Sequence, residues 1–450
     1  MKLIDIKALL SDWLGKEKQK IEEDKKRRYL HFDARIKNVG RKLVSEVSSP
    51  DYVVGRFFYP FIRDIQITRR YKKENGKKII DKKERPLCYA SHKDAFIFSW
   101  YGYILSYLYE AKVKRLNISE NAIAYRSYLG KNNARFAREV YDFIKKKDNC
   151  AVLCFDIVSF FDSLNHKILK NSWKQLLDEA GLLENGGMPK DHFAVYKAST
   201  KYSFAVKKNI FKYFGINKAN IKTFDKICSQ SDFQNIVRKV GLIRKHDEEK
   251  GVPQGLAVSS VLSNAYMIDF DLVVASYIKE LGGLYRRYSD DIIIVCDLSN
   301  YKDAEEFVKA EIAKLKLEIQ SSKTEIRLFS TDKFGRKICT DENGNKAKLQ
   351  YLGIKTDGNN DELRGKTTSK FYRKLTWKTK KEAQRSRKSK NKIATKRIYK
   401  QVIYSDNRKF LDYAKMVGRE LNSDNIKKQF SGENVAKIIR RKVNKVAKKK

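Results

Sequence analysis

The chain has 450 residues, enough for two or three domains, and 42% of them are hydrophobic, which suffices for a packed core. Lysine and arginine outnumber aspartate and glutamate by 97 to 54, giving a formal net charge of +43. So much self-repulsion in a folded protein indicates a polyanionic partner, and nucleic acid is the obvious one. An aromatic content of 12% argues against a disordered basic protein and supplies rings that stack on bases.

Two other classes of protein are disfavoured. The sequence has neither an apolar run of about 18 residues nor a basic amphipathic anchor, so we expect no membrane partner. The six cysteines are scattered without a C-x-x-C pair, which disfavours a zinc site and indicates buried thiols in a reducing compartment. Charges in the first five residues interrupt the apolar core that a signal peptide needs, so we predict a cytoplasmic protein.

The first 150 residues are predicted to contain helices and one basic hairpin. Residues 1–50 are charged and helix-prone, and two helices are expected there. Asn75-Gly76 lies between two basic segments and predicts a hairpin turn. Arg85 follows on an extended segment, where it could hold a triphosphate or simply be solvated. Helices are expected over about 94–110 and again up to Lys147.

Carboxylates follow or interrupt two apolar segments in the middle of the chain. A buried-type strand over 151–155 ends in Asp156. Tyr285–Cys296 is typical of a hairpin, with Asp290 and Asp291 at its tip. Adjacent like charges repel, and a divalent cation such as Mg²⁺ resolves the repulsion, whereas the alternative is a solvent-facing turn. Taken together, the three carboxylates are what two-metal phosphoryl transfer needs.

The other segments are predicted mainly from their periodicity and glycines. A polar, mostly helical stretch occupies about 165–245, and Gly251–Gly255 forms a tight loop before a helix that runs to Phe270. A further helix lies near 303–317. Leu349–Ile354 is predicted to be one more strand.

Beyond about residue 364 the composition becomes strongly basic. From Lys370 to Lys400, fourteen of thirty-one residues are lysine or arginine, and Glu382 is the single acid. A solvated charged face would mix both signs, so we favour a helical surface that binds a nucleic-acid backbone.

These motifs and their order resemble those of the reverse transcriptases over about residues 50–365. Phe155-Asp156 with Phe160-Phe161-Asp162 resembles the first catalytic motif, Gly251-Val252-Pro253-Gln254-Gly255 the second, and Tyr288-Ser289-Asp290-Asp291 the Tyr-x-Asp-Asp box. Lys323 resembles the lysine of the fourth motif, Tyr351-Leu352-Gly353 the primer grip, and Arg85-Pro86-Leu87 the fingers motif.

The resemblance implies a catalytic set and a metal site. Asp156, Asp290, Asp291 and Lys323 would be catalytic, and Lys323 would neutralise or protonate pyrophosphate unless it is simply solvated. Asp156, Ile157, Asp290 and Asp291 would bind Mg²⁺, with Mn²⁺ as the alternative ion and Asp291 as the less direct ligand.

It also implies a nucleotide pocket and a primer contact. Phe161 would crowd a ribose 2′-hydroxyl and so favour deoxynucleotides, which is compatible with its being a core aromatic. Arg85 would grip the triphosphate together with Lys82 or Lys83, and Gln254 and Gly255 would lie under the incoming nucleotide. Tyr351, Leu352 and Gly353 would form the primer grip.

The implied fold class is α+β, a right-hand polymerase with fingers, a ferredoxin-like palm carrying an antiparallel sheet, and a helical thumb. The expected division is an N-terminal helical segment over 1–50, fingers over 51–150, a palm over 151–355 with its helical insertion at about 165–245, and a basic thumb and tail over 356–450.

The expected partners are dNTPs, an RNA template or noncoding RNA, and the DNA product, with either self-association or a partner protein. The segments around Ala124 and Leu262–Met267 resemble bacterial retron, abortive-infection and defence-associated enzymes, and no ribonuclease H, zinc-finger endonuclease or integrase pattern is found. This favours a module in anti-phage defence that synthesises DNA on an RNA template or without a template, and that works with a noncoding RNA or a protein primer. A retron or group II intron-type enzyme, a maturase-like RNA-binding scaffold and an RNA polymerase remain the alternatives.

Overall fold

The computed structural model describes residues 5–23, 29–74, 77–389, 393–404 and 409–447. Its strands are β1 (Phe61–Glu74), β2 (Lys77–Tyr89), β3 (Cys150–Asp156), β4 (Ser203–Val206), β5 (Ile243–Lys245), β6 (Leu284–Tyr288), β7 (Asp291–Cys296), β8 (Glu325–Thr331), β9 (Lys337–Thr340), β10 (Leu349–Tyr351), β11 (Ile354–Thr356) and β12 (Asp361–Leu363).

Its α-helices are α1 (Ile6–Glu23), α2 (Arg41–Ser48), α3 (Pro50–Val54), α4 (His92–Arg115), α5 (Asn133–Lys146), α6 (Phe160–Ser163), α7 (His166–Asp178), α8 (Lys190–Thr200), α9 (Lys207–Tyr213), α10 (Gln230–Asp232), α11 (Ala257–Tyr266), α12 (Ile268–Glu280), α13 (Tyr301–Lys314), α14 (Gly365–Ser389), α15 (Thr395–Tyr399), α16 (Lys409–Glu420), α17 (Asp424–Gln429) and α18 (Gly432–Ala447).

The chain forms two compact units, each assembled from separate segments. The first unit contains residues 1–125, 157–274 and 308–320, and the second contains 126–156, 275–307 and 321–450. The two helices predicted near the N-terminus are present as α1 and α2. The predicted helices around 94–110 and up to Lys147 are also present, as α4 and α5.

The first unit contains a four-stranded sheet in the order β2-β1-β4-β5. Strands β1 and β2 pair antiparallel from Ile62 opposite Tyr89 to Glu74 opposite Lys77, so the basic hairpin is longer than predicted. The predicted turn Asn75-Gly76 lies outside the described residues. Short strand β4 pairs parallel to β1, and both β4 and β5 belong to the stretch 165–245, which is otherwise mostly helical as expected.

Helix α4 forms much of the core of the first unit. Its buried residues include Ile97, Phe98 and Trp100, and they occur on so many sides that the helix is apolar nearly all round. Gly102 allows α11 to approach closely, because a Cβ atom there would stand 3.2 Å from the Cα of Val258. Since α11 follows the glycine loop, this contact supports the loop within the unit.

The second unit is organised on a five-stranded sheet in the order β6-β7-β3-β8-β9, with every neighbouring pair antiparallel. Reading β3, β6, β7 and β8 as strands one to four gives the order 4-1-3-2, which is the predicted ferredoxin-like palm. Strand β7 from Ile292 to Cys296 and β3 from Cys150 to Leu153 are buried throughout, which explains their continuous apolar runs. The sheet therefore confirms the predicted α+β class.

Two local predictions are corrected. The hairpin tip consists of Ser289 and Asp290, because Asp291 already pairs with Tyr288 as the first residue of β7. The segment Leu349–Ile354 is not one strand: it contains β10, the two-residue turn Leu352-Gly353 and the first residue of β11. Leu352 and the glycine after it have φ angles of 46° and 87°, and two successive left-handed residues reverse the chain.

The basic C-terminal region is helical, as predicted. Helix α14 spans 25 residues and buries Leu375, Thr379 and Ala383 on one face. The single acid of this stretch, Glu382, is buried and pairs with Arg385 and Arg397 at 3.4 and 3.3 Å. Most other basic side chains of α14 are exposed, so the helix carries a large uncompensated positive charge.

In the part of the chain that the structure describes, no single helix is both long and apolar enough to cross a membrane. Helices α11 and α12 would pass such a test only as a pair bent by 47°, and only on length and composition.

Candidate active site

Three carboxylates meet at one end of the palm sheet in the second unit. Asp156 ends β3 and lies directly opposite Asp291, the first residue of β7. Opposed residues of an antiparallel ladder have Cβ atoms about 4.5–5.5 Å apart, so these two side chains are neighbours. Asp290 precedes Asp291 in the turn that follows β6. The register therefore brings together all three aspartates that the sequence singled out.

The charges of these aspartates oppose one another. Burial and the charges of Asp290 and Asp156 raise the pKa of Asp291 to about 6. Burial also raises the pKa of Asp290, and the charge of Asp156 adds to this increase. Asp291 keeps an exposed surface, so its carboxylate remains open to a ligand. The site thus holds more negative charge than its surroundings stabilise, which is how a cation-binding site differs from a solvated turn.

Lys323 supplies the nearest positive charge. It ends the short 3₁₀ turn Ser321–Lys323 before β8, and its Nζ donates a hydrogen bond to Oδ1 of Asp156. The Lys323 side chain is 47% exposed and that of Asp156 is 20% exposed, so the ion pair lies at the mouth of the site. The structure therefore places the predicted lysine with the three aspartates and pairs it with Asp156.

The donor chemistry of the site fits a hard cation. Among the described residues, no three His, Cys, Asp or Glu side chains are gathered closely enough to hold a metal ion by themselves. Mg²⁺, however, is usually bound through one or two carboxylates, with waters and substrate phosphates completing its shell. Asp156 and Asp291, opposed across the ladder, provide oxygen ligands of this kind, and Asp290 is adjacent. Sulfur and imidazole ligands, which would favour zinc, are absent from this set.

Ile157 belongs to the first unit and can offer only its main chain, because its side chain is buried at 1% exposure. It forms an isolated antiparallel bridge with Ile319, and the amide of Val158 donates to the carbonyl of Glu318 at 2.9 Å. The backbone after β3 is therefore fixed by a second segment. A ligand role for Ile157 would use its carbonyl oxygen.

The glycine loop of the first unit is held against β2. The amide of Cys88 donates to the carbonyl of Gln254 at 2.8 Å, and Gly255 has a φ of 114°. A Cβ atom at Gly255 would stand 2.4 Å from the carbonyl oxygen of Cys88, so only glycine fits. The side chain of Gln254 donates to Asp162 Oδ2 at the long distance of 3.5 Å. The sequence did not identify Asp162 as the partner that orients Gln254.

Phe161 lies beside this loop. Its carbonyl accepts a hydrogen bond from the amide of Val252 at 2.9 Å, and its half-buried ring is edge-on to Tyr125 at 6.3 Å between centroids. The neighbouring Phe160 is only 3% exposed and is the core residue of the pair. Phe161 is therefore the less buried ring of the pair, and it is the one that the steric-gate prediction concerns.

Strand alternation separates the two lysines near Arg85. Arg85 is exposed on β2 and lies opposite Gln66, while Lys83 lies opposite Thr68. Side chains two positions apart share one face of a strand, so Lys83 and Arg85 point the same way and Lys82 points the other way. Of the two candidates, Lys83 is thus the one placed to act with Arg85.

The predicted primer grip lies in the second unit. Tyr351 is 4% exposed, and burial raises the pKa of its hydroxyl well above the usual value. Leu352 and Gly353 form the turn described above, and the amide of Arg364 donates to the carbonyl of Gly353 at 2.9 Å. Tyr351 therefore anchors the turn from the core, and Leu352 and Gly353 are the residues presented at its tip.

Two residues near the aspartates were not singled out from the sequence. Arg287 in β6 is completely buried, and its Nη1 donates to the carbonyl of Ser289 at 3.1 Å. Ser289 is 3% exposed and has a left-handed φ of 61°. The sequence offered no signal for Arg287, because the adjacent Arg286 is also basic.

A basic cavity of about 330 Å³ lies in the C-terminal helices of the second unit. Lys370, Lys374 and Lys378 on α14 line it together with the rings of Phe371 and Phe410, which stack with centroids 4.5 Å apart. Burial, with the charge of Lys374, lowers the pKa of Lys378. This face of α14 combines positive charge with aromatic surface, as the predicted nucleic-acid-binding surface requires.

Residues 200–356 match the family model described as reverse transcriptase (RNA-dependent DNA polymerase). The matched segment includes the Gly251–Gly255 loop, Asp290, Asp291 and Lys323, whereas Asp156 precedes it. No curated protein matches the chain.

Solved structures of telomerase are among those to which this chain is similar. An apo telomerase from Candida tropicalis, truncated from its C-terminal domain, is 14% identical, with 78% of this chain and 60% of that chain covered and a TM-score of 0.42. Telomerase from Candida albicans in complex with a TWJ fragment of telomeric RNA is 10% identical, with 93% and 70% covered and a TM-score of 0.40. The chain spans about 60% of the length of the first of these telomerases.

The family match and the sheet agree with each other. The matched residues 200–356 contain β6, β7 and β8, which with β3 make the 4-1-3-2 order of the palm. Residues 200–356 thus match the reverse transcriptase family within a chain whose palm sheet has the 4-1-3-2 strand order.

Proposed function

We propose that the protein is a reverse transcriptase that transfers nucleotides from dNTPs to a DNA 3′ end and releases pyrophosphate. One observation carries the proposal: Asp156 lies opposite Asp291 in the palm sheet, with Asp290 beside it in the turn. The raised pKa values of Asp290 and Asp291 support a site built for cations. The family match over 200–356 supports the reaction class.

Asp156, Asp290 and Asp291 would hold the catalytic Mg²⁺ or Mn²⁺, with the carbonyl of Ile157 as a further ligand. The bound ions would supply Lewis-acid chemistry, lowering the pKa of the attacking hydroxyl and neutralising the leaving pyrophosphate. Lys323, which pairs with Asp156 at the mouth of the site, would neutralise or protonate the pyrophosphate.

The first unit supplies residues that would choose and position the nucleotide. Arg85 with Lys83 on the same face of β2 would hold the triphosphate. Gln254, held by Cys88 and Asp162, would lie under the sugar and base. Phe161 would exclude a 2′-hydroxyl.

The test is incorporation of labelled dNTPs by the purified full chain, with an RNA template, a DNA primer and Mg²⁺. We expect extension that depends on template sequence and stops in the double variant Asp290→Asn, Asp291→Asn, while circular dichroism shows an unchanged fold. Full activity in that variant would overturn the assignment of the site. Incorporation without a template would redefine the substrate but keep the nucleotidyl transfer.

The same assay separates the alternatives. Preferential use of ribonucleotides would indicate an RNA polymerase. Tight RNA binding by the wild-type protein with no incorporation on any template or primer would indicate a maturase-like scaffold. Neither result is expected. Phe161 disfavours ribonucleotides, and the intact carboxylates and glycine loop argue against a scaffold without polymerisation.

We further propose a cytoplasmic role in bacterial anti-phage defence with a noncoding RNA or a protein side chain as primer. The support is the motif resemblance around Ala124 and Leu262–Met267 together with the net charge of +43. Sequencing the RNA bound to protein purified from its host, and any DNA attached to it covalently, would identify template and primer. The defence role predicts that phage plate more efficiently on a host carrying the Asp290→Asn, Asp291→Asn variant than on one carrying the wild type.

A further inference from the structure

Arg287 is an unusual residue for its position. It is 0% exposed in the middle of the palm hairpin and pairs across the ladder with Ile292, which is 1% exposed. A guanidinium cannot lose its proton in a protein, so burying it is costly unless hydrogen bonds compensate the charge. An apolar residue would satisfy a position that served packing alone.

One hydrogen bond of Arg287 goes to the turn that carries Asp290. Its Nη1 donates to the main-chain carbonyl of Ser289 at 3.1 Å. Ser289 is buried at 3% exposure and adopts a φ of 61°, a left-handed conformation that disfavours residues with a Cβ atom. A serine persists there only if its surroundings hold it in place.

The direction in which the Asp290 carboxylate points depends on the backbone conformation of Ser289. Asp290 follows Ser289 directly, and the hydroxyl of Ser289 also donates a hydrogen bond to the Asp290 carboxylate. If Ser289 returned to a right-handed or extended conformation, the peptide before Asp290 would rotate and the carboxylate would leave the end of the sheet. The turn must therefore be fixed for Asp290 to stand beside Asp156.

We propose that Arg287 is a positioning residue that holds the left-handed turn at Ser289 and so aims Asp290 and Asp291. Its effect on the reaction rests on the proposed function, whereas its coupling to Ser289 does not. In this proposal Arg287 acts on the turn through its hydrogen bond to the carbonyl of Ser289.

The test is a double-mutant cycle with Arg287→Met and Ser289→Gly. Glycine adopts the left-handed conformation without the Cβ penalty, so Ser289→Gly removes the need for an anchor. We expect Arg287→Met to lower kcat by roughly tenfold to a hundredfold, with less than about threefold change in KM for dNTP. Adding Ser289→Gly to Arg287→Met should restore kcat at least about threefold.

Equilibrium unfolding of the same four proteins provides a readout that needs no substrate. Arg287→Met should lower the folding equilibrium constant of the wild-type protein. The factor by which it does so should be at least about threefold smaller in the protein that already carries Ser289→Gly. If the wild-type protein shows no polymerase activity, the proposed function fails, and this coupling still decides whether Arg287 holds the turn.

Arg287→Lys is the second variant, used in the same cycle if Arg287→Met does not fold. Lysine keeps the charge but lacks the planar fork, so we expect an intermediate loss of kcat and the same rescue by glycine. Additive losses with no rescue would overturn the inference. If Arg287→Met and Ser289→Gly have non-additive effects on unfolding but Arg287→Met does not lower kcat selectively, Arg287 supports the turn without positioning the aspartates, which would overturn the proposed positioning role.

Discussion

The palm sheet places three carboxylates at one end of a buried hairpin, whereas α14 spreads positive charge along an exposed helix. In the sheet, Asp156 and Asp291 are opposed because the register of β3 and β7 allows no other pairing once the apolar strands are buried. On α14, lysines at 370, 374 and 378 share a face simply because they recur every four residues.

The palm sheet and α14 differ in how much their function depends on single residues. A one-residue slip between β3 and β7 would separate Asp156 from Asp291, so the chemistry depends on single positions. The basic helix tolerates replacement of any one lysine, because backbone binding sums many weak charge contacts. A single substitution among the palm aspartates should therefore abolish nucleotide incorporation, whereas each substitution of a lysine on α14 should weaken nucleic-acid binding only a little.

The largest expected effect is in the palm. Asp156→Asn should lower the rate of dNTP incorporation by about a thousandfold or more, because the carboxylate opposite Asp291 is lost. The assay is single-turnover primer extension. Thermal unfolding serves as the control, and the melting temperature should fall little, since asparagine has the same shape. A residual rate within tenfold of wild type would show that the palm does not depend on this single carboxylate.

The second effect tests selection of the sugar. Phe161→Ala should raise the ratio of ribonucleotide to deoxynucleotide incorporation by about tenfold to a hundredfold, because it removes the ring from the proposed gate. Competition between labelled rNTP and dNTP measures the ratio. Phe160→Leu is the matched control, since Phe160 is buried in the core, and it should reduce stability without changing the ratio. Equal changes in both variants would argue that Phe161 is only a packing residue.

The third effect tests the helix. Replacing Lys370, Lys374 and Lys378 by glutamine should weaken binding to an RNA–DNA duplex by roughly tenfold, and lower the dependence of log affinity on log salt by about 2 to 3. Fluorescence anisotropy at several salt concentrations measures both quantities.

The control for this triple variant changes the same net charge on another face of α14, at positions 373, 380 and 387. We expect a smaller loss there, because these residues do not line the 330 Å³ cavity. Equal losses in the two triple variants would show that only net charge matters.

Much of the palm could be predicted from the sequence because its signals are local. Apolar runs identify β3 and β7, and the carboxylates at their ends are visible without knowing the fold. The Leu352-Gly353 turn could not be predicted as easily, since Leu352 takes a left-handed φ of 46° that its residue type disfavours. Arg287 was missed because a buried guanidinium is defined by its surroundings, and among its basic neighbours in sequence it has no distinguishing mark.

The smallest effect concerns the electrostatic cost of the acidic site itself. In the folded protein the pKa of Asp291 is raised to about 6 from an ordinary value of 3.8, so the folded state binds a proton more tightly than the unfolded state does. Stability from this group is therefore present below about pH 4 and is lost as the pH rises through 6. Asp291→Asn removes that loss.

Because Asp291 is partly exposed, we expect only about 1 kcal/mol of extra stabilisation from Asp291→Asn at pH 7.5 relative to pH 4.5. Denaturant unfolding of both proteins at both pH values with a chelator present measures this difference, and adding Mg²⁺ at pH 7.5 should stabilise the wild type more than the variant. An identical pH profile for wild type and Asp291→Asn would mean that the opposed carboxylates do not repel each other enough to require a cation.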